Sequence, residues 1–350
     1  MPRKRRNHFI PRMLLKRFAS RIEGNGEKQF IWRYEQGRPP FELSTKDAGV
    51  AKDFYGEDDD ELENKLMEVE GAYASALREI DAGTFALDKR SAFLADMVWL
   101  FALRTEANRI MLTAFVQSAM QEVANQLPSA AAREFLARNL NAKLEERLKA
   151  APHLSSIFAD PQFNRQIDHW KNEVLDELQG HLGGLAEYVM SDPEAKKAFI
   201  VSQNEGLSGR LAADTKCPIS RAPLNWHTVV SQNDELVLGD ACVFAVTGKG
   251  RAAPFVGGED LQLVCFPISP RMAIVGLFDR DAQELEPQTI RRHSIAFSSR
   301  YFFSNRNDEA LARDCNLIMG TEASFLKNGD ERAIITNLWT GDVSKSDELE

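Results

Sequence analysis

The chain has 350 residues, of which 43% are apolar and 27% charged, with a net charge of -9. That size and balance fit a globular protein with a sizeable core, in one large domain or two ordinary ones. No stretch reaches the roughly 18 consecutive apolar residues of a membrane span. Lys16 and Arg17 interrupt any apolar run behind the basic terminus, so a secretory signal is not expected.

Cys217, Cys242, Cys265 and Cys315 lack the spacing of a zinc ribbon. They sit in apolar contexts and read as small buried hydrophobes in a reducing, cytoplasmic compartment. An acidic chain can still bind nucleic acid, but only through a local basic patch. The first such patch is Arg3-Lys4-Arg5-Arg6, which Arg12, Lys16, Arg17 and Arg21 extend. It reads either as a solvated terminus or as an arm for a phosphate backbone, with Arg3, Lys4, Arg5, Arg6 and Arg12 as the contact residues.

Pro11 suits the first turn of a helix, where its missing N–H has no partner to lose. The helix is expected to run to about Ala19 with Leu14, Leu15 and Phe18 on one side. His8 lies in the extended chain before it, on the same side as Ile10, and so should point inward. Gly24-Asn25-Gly26 is a turn, Gln29–Tyr34 alternates as a strand, and Phe41-Glu42-Leu43 can complete a hairpin.

Helices should dominate from about 60 to 202. The first carries Leu62, Leu66, Val69, Tyr73 and Leu77, with Glu70 bordering that stripe. The next, from about Asp88 to Asn125, has Arg104 and Asn108 within its apolar stripe. A buried guanidinium is costly without acceptors, so Arg104 either has a carboxylate partner or snorkels at the rim. Helices over 129–150 and from Pro161 to about Leu178 follow, with Gly183-Gly184 loosening the chain and Asp192-Pro193-Glu194 opening another helix. His153, His169 and His181 match no metal-ligand spacing.

Residues 204–222 read as a loop. Beyond them short strands are expected at 226–230, 236–238, 242–246, Leu261–Phe266 and Met272–Leu277, then helices over Pro287–Ser299 and 305–319. The fold class is therefore α+β: predominantly helical, with a small N-terminal hairpin and a C-terminal, mainly antiparallel sheet packed on helices. We treat 1–350 as a single large domain. Its sub-regions are 1–55, 56–203, 204–340 and an acidic tail, 341–350, expected to be mobile.

These residues together make the chain resemble a large bacterial family, the domain-of-unknown-function family numbered 4238. Its members open with His-x-x-Pro-x-x-x-Leu-x-x-Phe, matched here by His8, Pro11, Leu15 and Phe18. Looser matches follow at Ile31-Trp32-Arg33-Tyr34, Phe54-Tyr55, Glu70, Arg104-Thr105 and Phe266-Pro267-Ile268-Ser269-Pro270. The resemblance implies a Thr-Ser-Asp-x-Pro segment at Leu238-Gly239-Asp240-Ala241-Cys242; Asp240 is kept, while Ser and Pro are replaced. The family carries no assigned activity, so the resemblance supplies an architecture and a residue list.

His8, Glu70, Arg104 and Asp240 are each polar within an apolar pattern, and such groups must pair or change protonation state when buried. We expect Arg104 to pair with Glu70 or Asp240, and His8 to join them. Three functions follow. In a nucleic-acid hydrolase of bacterial phage defence, His8 would be base or metal ligand. Glu70 and Asp240 would hold a divalent metal or activate water, and Arg104 would steady a phosphate. In a non-catalytic binding or regulatory protein the same four residues form a buried structural network. In a small-molecule or nucleotide-processing enzyme the pocket would lie between helices and sheet; the missing phosphate loop counts against it. Oligomeric state is open.

Overall fold

The computed structural model describes residues 6–52, 54–55, 60–150, 161–192, 201–207, 224–233, 235–254, 261–278 and 285–323. Arg3, Lys4, Arg5, Cys217, His153, Pro193-Glu194, Gly257-Gly258 and the acidic tail lie outside these residues. The chain clusters into two compact units, Met1–Leu112 with Phe199–Phe325, and Thr113–Ala198 with Leu326–Glu350.

The first unit holds the sheets. Strand β1 (Arg6–His8) leads through Pro11 into the short helix α1 (Arg12–Leu15). The helix tightens into a 3-10 turn over Lys16–Phe18, so the expected α-helix to Ala19 is shorter than its apolar pattern suggested. Strands β2 (Arg21–Glu23), β3 (Lys28–Glu35) and β4 (Phe41–Ser44) form the N-terminal hairpin region, and β5 (Val50–Lys52) pairs antiparallel with β1. Gly49 fixes this junction. Its carbonyl accepts from the amides of Phe9 and Ile10 at 3.0 and 3.3 Å, and its φ is +56°. A Cβ there would lie 2.8 Å from the Cβ of Ile10. Gly49→Ala is therefore expected to cost about 1–3 kcal/mol, read as a lowered urea midpoint with an unchanged slope.

Helix α2 (Asp60–Asp81) packs Leu62, Leu66, Tyr73 and Leu77 into the core. The single helix expected over Asp88–Asn125 is two, α3 (Ser91–Leu103) and α4 (Glu106–Gln126). Thr105 makes the break: its hydroxyl accepts from the Asn108 amide at 3.2 Å, capping α4. The apolar stripe continues across the break, which is why periodicity alone hides it. Helix α3 is buried on nearly all sides, as expected for a helix apolar all round.

The C-terminal half of this unit adds β6 (Asn225–Val230), β7 (Leu238–Gly239), β8 (Phe244–Thr247), β9 (Ala252–Ala253), β10 (Leu261–Ser269) and β11 (Met272–Leu277). The order β6-β11-β10-β8-β9 is antiparallel throughout, as the sequence predicts. Side chains of β10 and β11 alternate between two cores: Val264, Phe266 and Ile274 enter one, Leu263, Cys265 and Val275 the other.

A strand the periodicity did not reveal, β12 (Tyr301–Ser304), joins the chain's two ends. It pairs with β3 and β7, so the N-terminal hairpin and the Asp240 segment share one sheet. All four of its residues are buried, with Tyr301 and Phe303 toward one core and Phe302 toward another, so no polar alternation marks it. Before and after it lie two helices numbered in order after those of the second unit, α7 (Pro287–Ala296) and α8 (Glu309–Ile318). Helix α8 starts later than expected, where the Asp308 carboxylate caps the amides of Ala310 and Leu311.

The second unit holds the rest of α4, α5 (Ala130–Ala150) and α6 (Pro161–Ser191). Gly183-Gly184 does not end α6, because Gly costs a helix only about 1 kcal/mol. Arg133 bonds Asp176 at 2.5 Å, and Gln179 donates to the Leu127 carbonyl at 2.5 Å. Among the described residues no helix is long and apolar enough to cross a membrane.

Candidate functional site

Arg104 stands where α3 ends, at the helix C-cap. That position aims its side chain back across the first turns of the fold, and the residue is 3% exposed. It does not snorkel. One guanidinium nitrogen bonds Glu70 at 2.5 Å; another donates to the His8 carbonyl at 2.7 Å. Burial works against the charge, and Tyr55 and Glu70 more than offset it, so the guanidinium pKa rises. The Tyr55 hydroxyl also reaches the His8 carbonyl, at 3.4 Å. Arg104 therefore ties β1, α2 and α3 together through charge-assisted bonds.

The His8 ring is partly buried. Burial lowers its pKa, and a bond to the Thr45 backbone and the Glu70 charge only partly oppose this. Nε2 has no hydrogen-bond partner among the described residues.

Asp240 follows β7 and is 1% exposed. One carboxylate oxygen accepts from the Ser299 amide at 3.0 Å. The other accepts from Arg300 at 2.7 Å, Tyr301 at 3.4 Å and the Ser299 hydroxyl at 3.4 Å. Burial raises its pKa to about 6, with the three amides pulling the other way. The carboxylate is thus the cap of the turn that enters β12, on a different partner set from Arg104. The field of both charges reaches Cys242, whose thiol is pushed well up by burial.

Two of the departures from the segment that the family resemblance implies, at Gly239 and Cys242, fit this geometry. A Cβ on residue 239 would lie 2.9 Å from the Ser294 carbonyl oxygen and 2.7 Å from the Ser298 hydroxyl, so glycine lets α7 approach. Cys242 has φ +60°, a value closed to proline. A cavity of about 10 Å³ beside this turn, lined by Gly239, Ala241, Cys242, Val243, Phe244, Ser294 and Phe297, admits no more than one water.

Among the described residues no group of three or more His, Cys, Asp or Glu side chains could hold a metal ion. Glu70 is engaged by Arg104, and Asp240 by backbone amides, so the two carboxylates expected to share a divalent ion serve separate partners. Of the basic residues named for nucleic acid, Arg6 pairs with Asp47 at 2.8 Å. Arg17 pairs with Asp81 and Arg21 with Glu42, while Arg12 has no ion pair among the described residues.

Sequence reasoning missed a second arginine, partly buried, with its guanidinium held by the chain. Arg109 donates to the Phe54 carbonyl at 2.6 Å and to the Asn204 amide oxygen, with its guanidinium 3.7 Å above the Phe54 ring. Burial lowers its pKa to about 10. It lies five residues after Arg104, beyond the helix break that the stripe concealed. The other omission is His293, buried, with Nδ1 3.0 Å from Glu322. Its neighbours Arg292 and Ser294 give it no distinctive pattern.

A family model described as Protein of unknown function (DUF4238) matches residues 6–324. No curated protein matches, and no solved structure does.

Proposed function

The chain belongs to the DUF4238 family, and from that premise we propose that it is a non-catalytic binding or regulatory protein of the bacterial cytoplasm. His8, Glu70, Arg104 and Asp240 would be the polar frame that positions its surfaces. One observation carries this reading: the charged atoms of Arg104 and Asp240 end on the chain's own groups. Both Asp240 oxygens are filled by Ser299, Arg300 and Tyr301, and both terminal nitrogens of Arg104 are engaged, by Glu70 and the His8 carbonyl. A catalytic group must keep a reachable atom free for substrate, and Arg104 is 3% and Asp240 1% exposed. Three buried, unpaired cysteines support a reducing compartment.

A second reading, a nucleic-acid hydrolase of a phage-defence locus, is favoured by His8, whose pKa burial lowers and whose Nε2 has no hydrogen-bond partner among the described residues. Incubation of the full chain with labelled DNA and RNA in Mg²⁺ or Mn²⁺ separates the two. The expected outcome is no cleavage above the protein-free blank in wild type or His8→Ala. Cleavage that disappears in His8→Ala while its melting curve stays intact would replace the binding reading with the hydrolase.

A further inference from the structure

One end of the β6-β11-β10-β8-β9 sheet is guarded and the other is open. At the guarded end β9 is two residues long, and the Glu322 carboxylate accepts from its Ala252 amide at 2.8 Å. At the other end β6 runs for six residues and, among the described residues, pairs with β11 alone. The Ser231 amide donates to the Arg271 carbonyl at 2.7 Å, and the same register sets Val229 opposite Ala273, His227 opposite Val275 and Asn225 opposite Leu277. Bonded pairs alternate along an antiparallel ladder, so these residues turn their backbone groups to β11. Trp226, Thr228 and Val230 turn theirs outward, and no hydrogen bond reaches those groups from the described residues.

His227, Thr228, Val229 and Val230 all line one cavity of about 360 Å³, with residues 285–287 as its other wall. Side chains at consecutive strand positions point to opposite faces, so a space bordered by all four runs along the edge rather than over either face. Open edges are usually blunted by lysine, proline or a bulge. β6 has none of these: it contains no Lys, Arg, Asp, Glu or Pro, and its register is unbroken. Its bulkiest side chain, Trp226, is turned inward. The ring lies against Gly276, where a Cβ would come within 2.8 Å of it, and Nε1 donates to the Ser91 hydroxyl at 3.0 Å. The edge is left clear.

We propose that this edge is a self-association surface, on which β6 of a second copy pairs antiparallel about a two-fold axis at Thr228. In that register Thr228 faces its own equivalent, and Trp226 of each copy faces Val230 of the other. Every outward N–H and C=O of one copy then meets its complement on the second, and the two five-stranded sheets become one. A two-fold contact sets like beside like, so a charged strand would repel itself there; β6 carries no such charge. The facing threonines add a cross-strand contact. A foreign strand could satisfy the same backbone groups, but an edge without charge offers little to select one, whereas the second copy matches it residue by residue. An edge of this length falls short of the roughly 800 Å² per partner of a stable interface, so the dimer is transient, with a dissociation constant on the order of 10–100 µM. None of His8, Glu70, Arg104 or Asp240 takes part, so the pairing holds or fails independently of their role.

Sedimentation equilibrium of the full chain from about 5 to 500 µM tests the pairing. The mass should rise with concentration from one chain toward two. Thr228→Pro removes only an outward N–H, which an edge strand tolerates, and should weaken the dimer at least about tenfold with an unchanged melting curve. Residue 228 is partly exposed, so Thr228→Lys and Thr228→Glu give a second route if the proline variant fails to fold. Each alone sets like charges against each other at the axis and should stay a single chain, while their equimolar mixture should dimerise at least as tightly as wild type. A single-chain mass up to the highest concentration overturns the pairing, even if a foreign peptide binds β6. A dimer unchanged in folded Thr228→Pro, or in either charged variant alone, overturns it too and places the interface elsewhere. A mixture no tighter than its components overturns the two-fold register.

Discussion

Arg104→Met is expected to lower the stability of the fold by about 3–5 kcal/mol, the usual cost of removing one partner from a buried pair. Two groups are left behind. Glu70 remains beside apolar neighbours, and the His8 carbonyl keeps only the long contact to Tyr55 at 3.4 Å. Glu70 is the cheaper orphan, since its side chain is 23% exposed and can turn to water. Glu70→Leu should cost as much or more, because the guanidinium it abandons is only 3% exposed. The double variant Arg104→Met with Glu70→Leu decides what the pair is for. Buried ion pairs replaced whole by apolar residues are often neutral or stabilising. If the double variant recovers most of the loss in urea melts, the fold does not need the charged pair itself. If it does not, the His8 carbonyl needs the arginine, and the network is structural. A loss under about 1 kcal/mol in Arg104→Met alone would show that the network holds nothing together.

Arg104 also shows what a sequence can disclose. Its place in an apolar stripe predicts a carboxylate partner, and the structure supplies Glu70. The inward direction of His8 follows from the Pro11 turn and the alternation before it. Both inferences use local geometry, which periodicity reports well. The antiparallel sheet from Asn225 to Leu277 is legible for the same reason. What stays hidden depends on distant pairing. β12 is apolar on both faces, so Tyr301-Phe302-Phe303 carries no alternation, and one of its partners, β3, lies near the other end of the chain. The same strand decides Asp240. From sequence, Asp240 is a half-buried carboxylate that could join Arg104. In the fold it caps the turn at Ser299–Tyr301, through backbone amides that no side-chain pattern encodes.

The stability difference between wild type and Asp240→Asn is expected to fall by about 2.4 kcal/mol between pH 4 and pH 7.5, to wild type's disadvantage. The carboxyl sits at about 6 in the fold against 3.8 normally. A raised carboxyl pKa means that the folded state holds its proton more tightly. The stability this gives is complete below pH 3.8 and is lost as pH rises through 6. Glu42 and Glu322 have lowered pKa values and act in the opposite sense, gaining stability as pH rises. They are common to both proteins and cancel in the difference. The asparagine amide also loses one acceptor to the turn, but that cost does not titrate, so it shifts the difference without tilting it. Two forces compete at this carboxylate. Burial at 1% exposure favours the proton, while three amides and a hydroxyl favour the charge. Urea melts of both proteins across that range read the winner. A slope of the expected sign means burial wins, and Asp240 changes charge near neutral pH. A flat difference means the amides of Ser299, Arg300 and Tyr301 hold it ionised throughout, like an anion bound at a preformed nest.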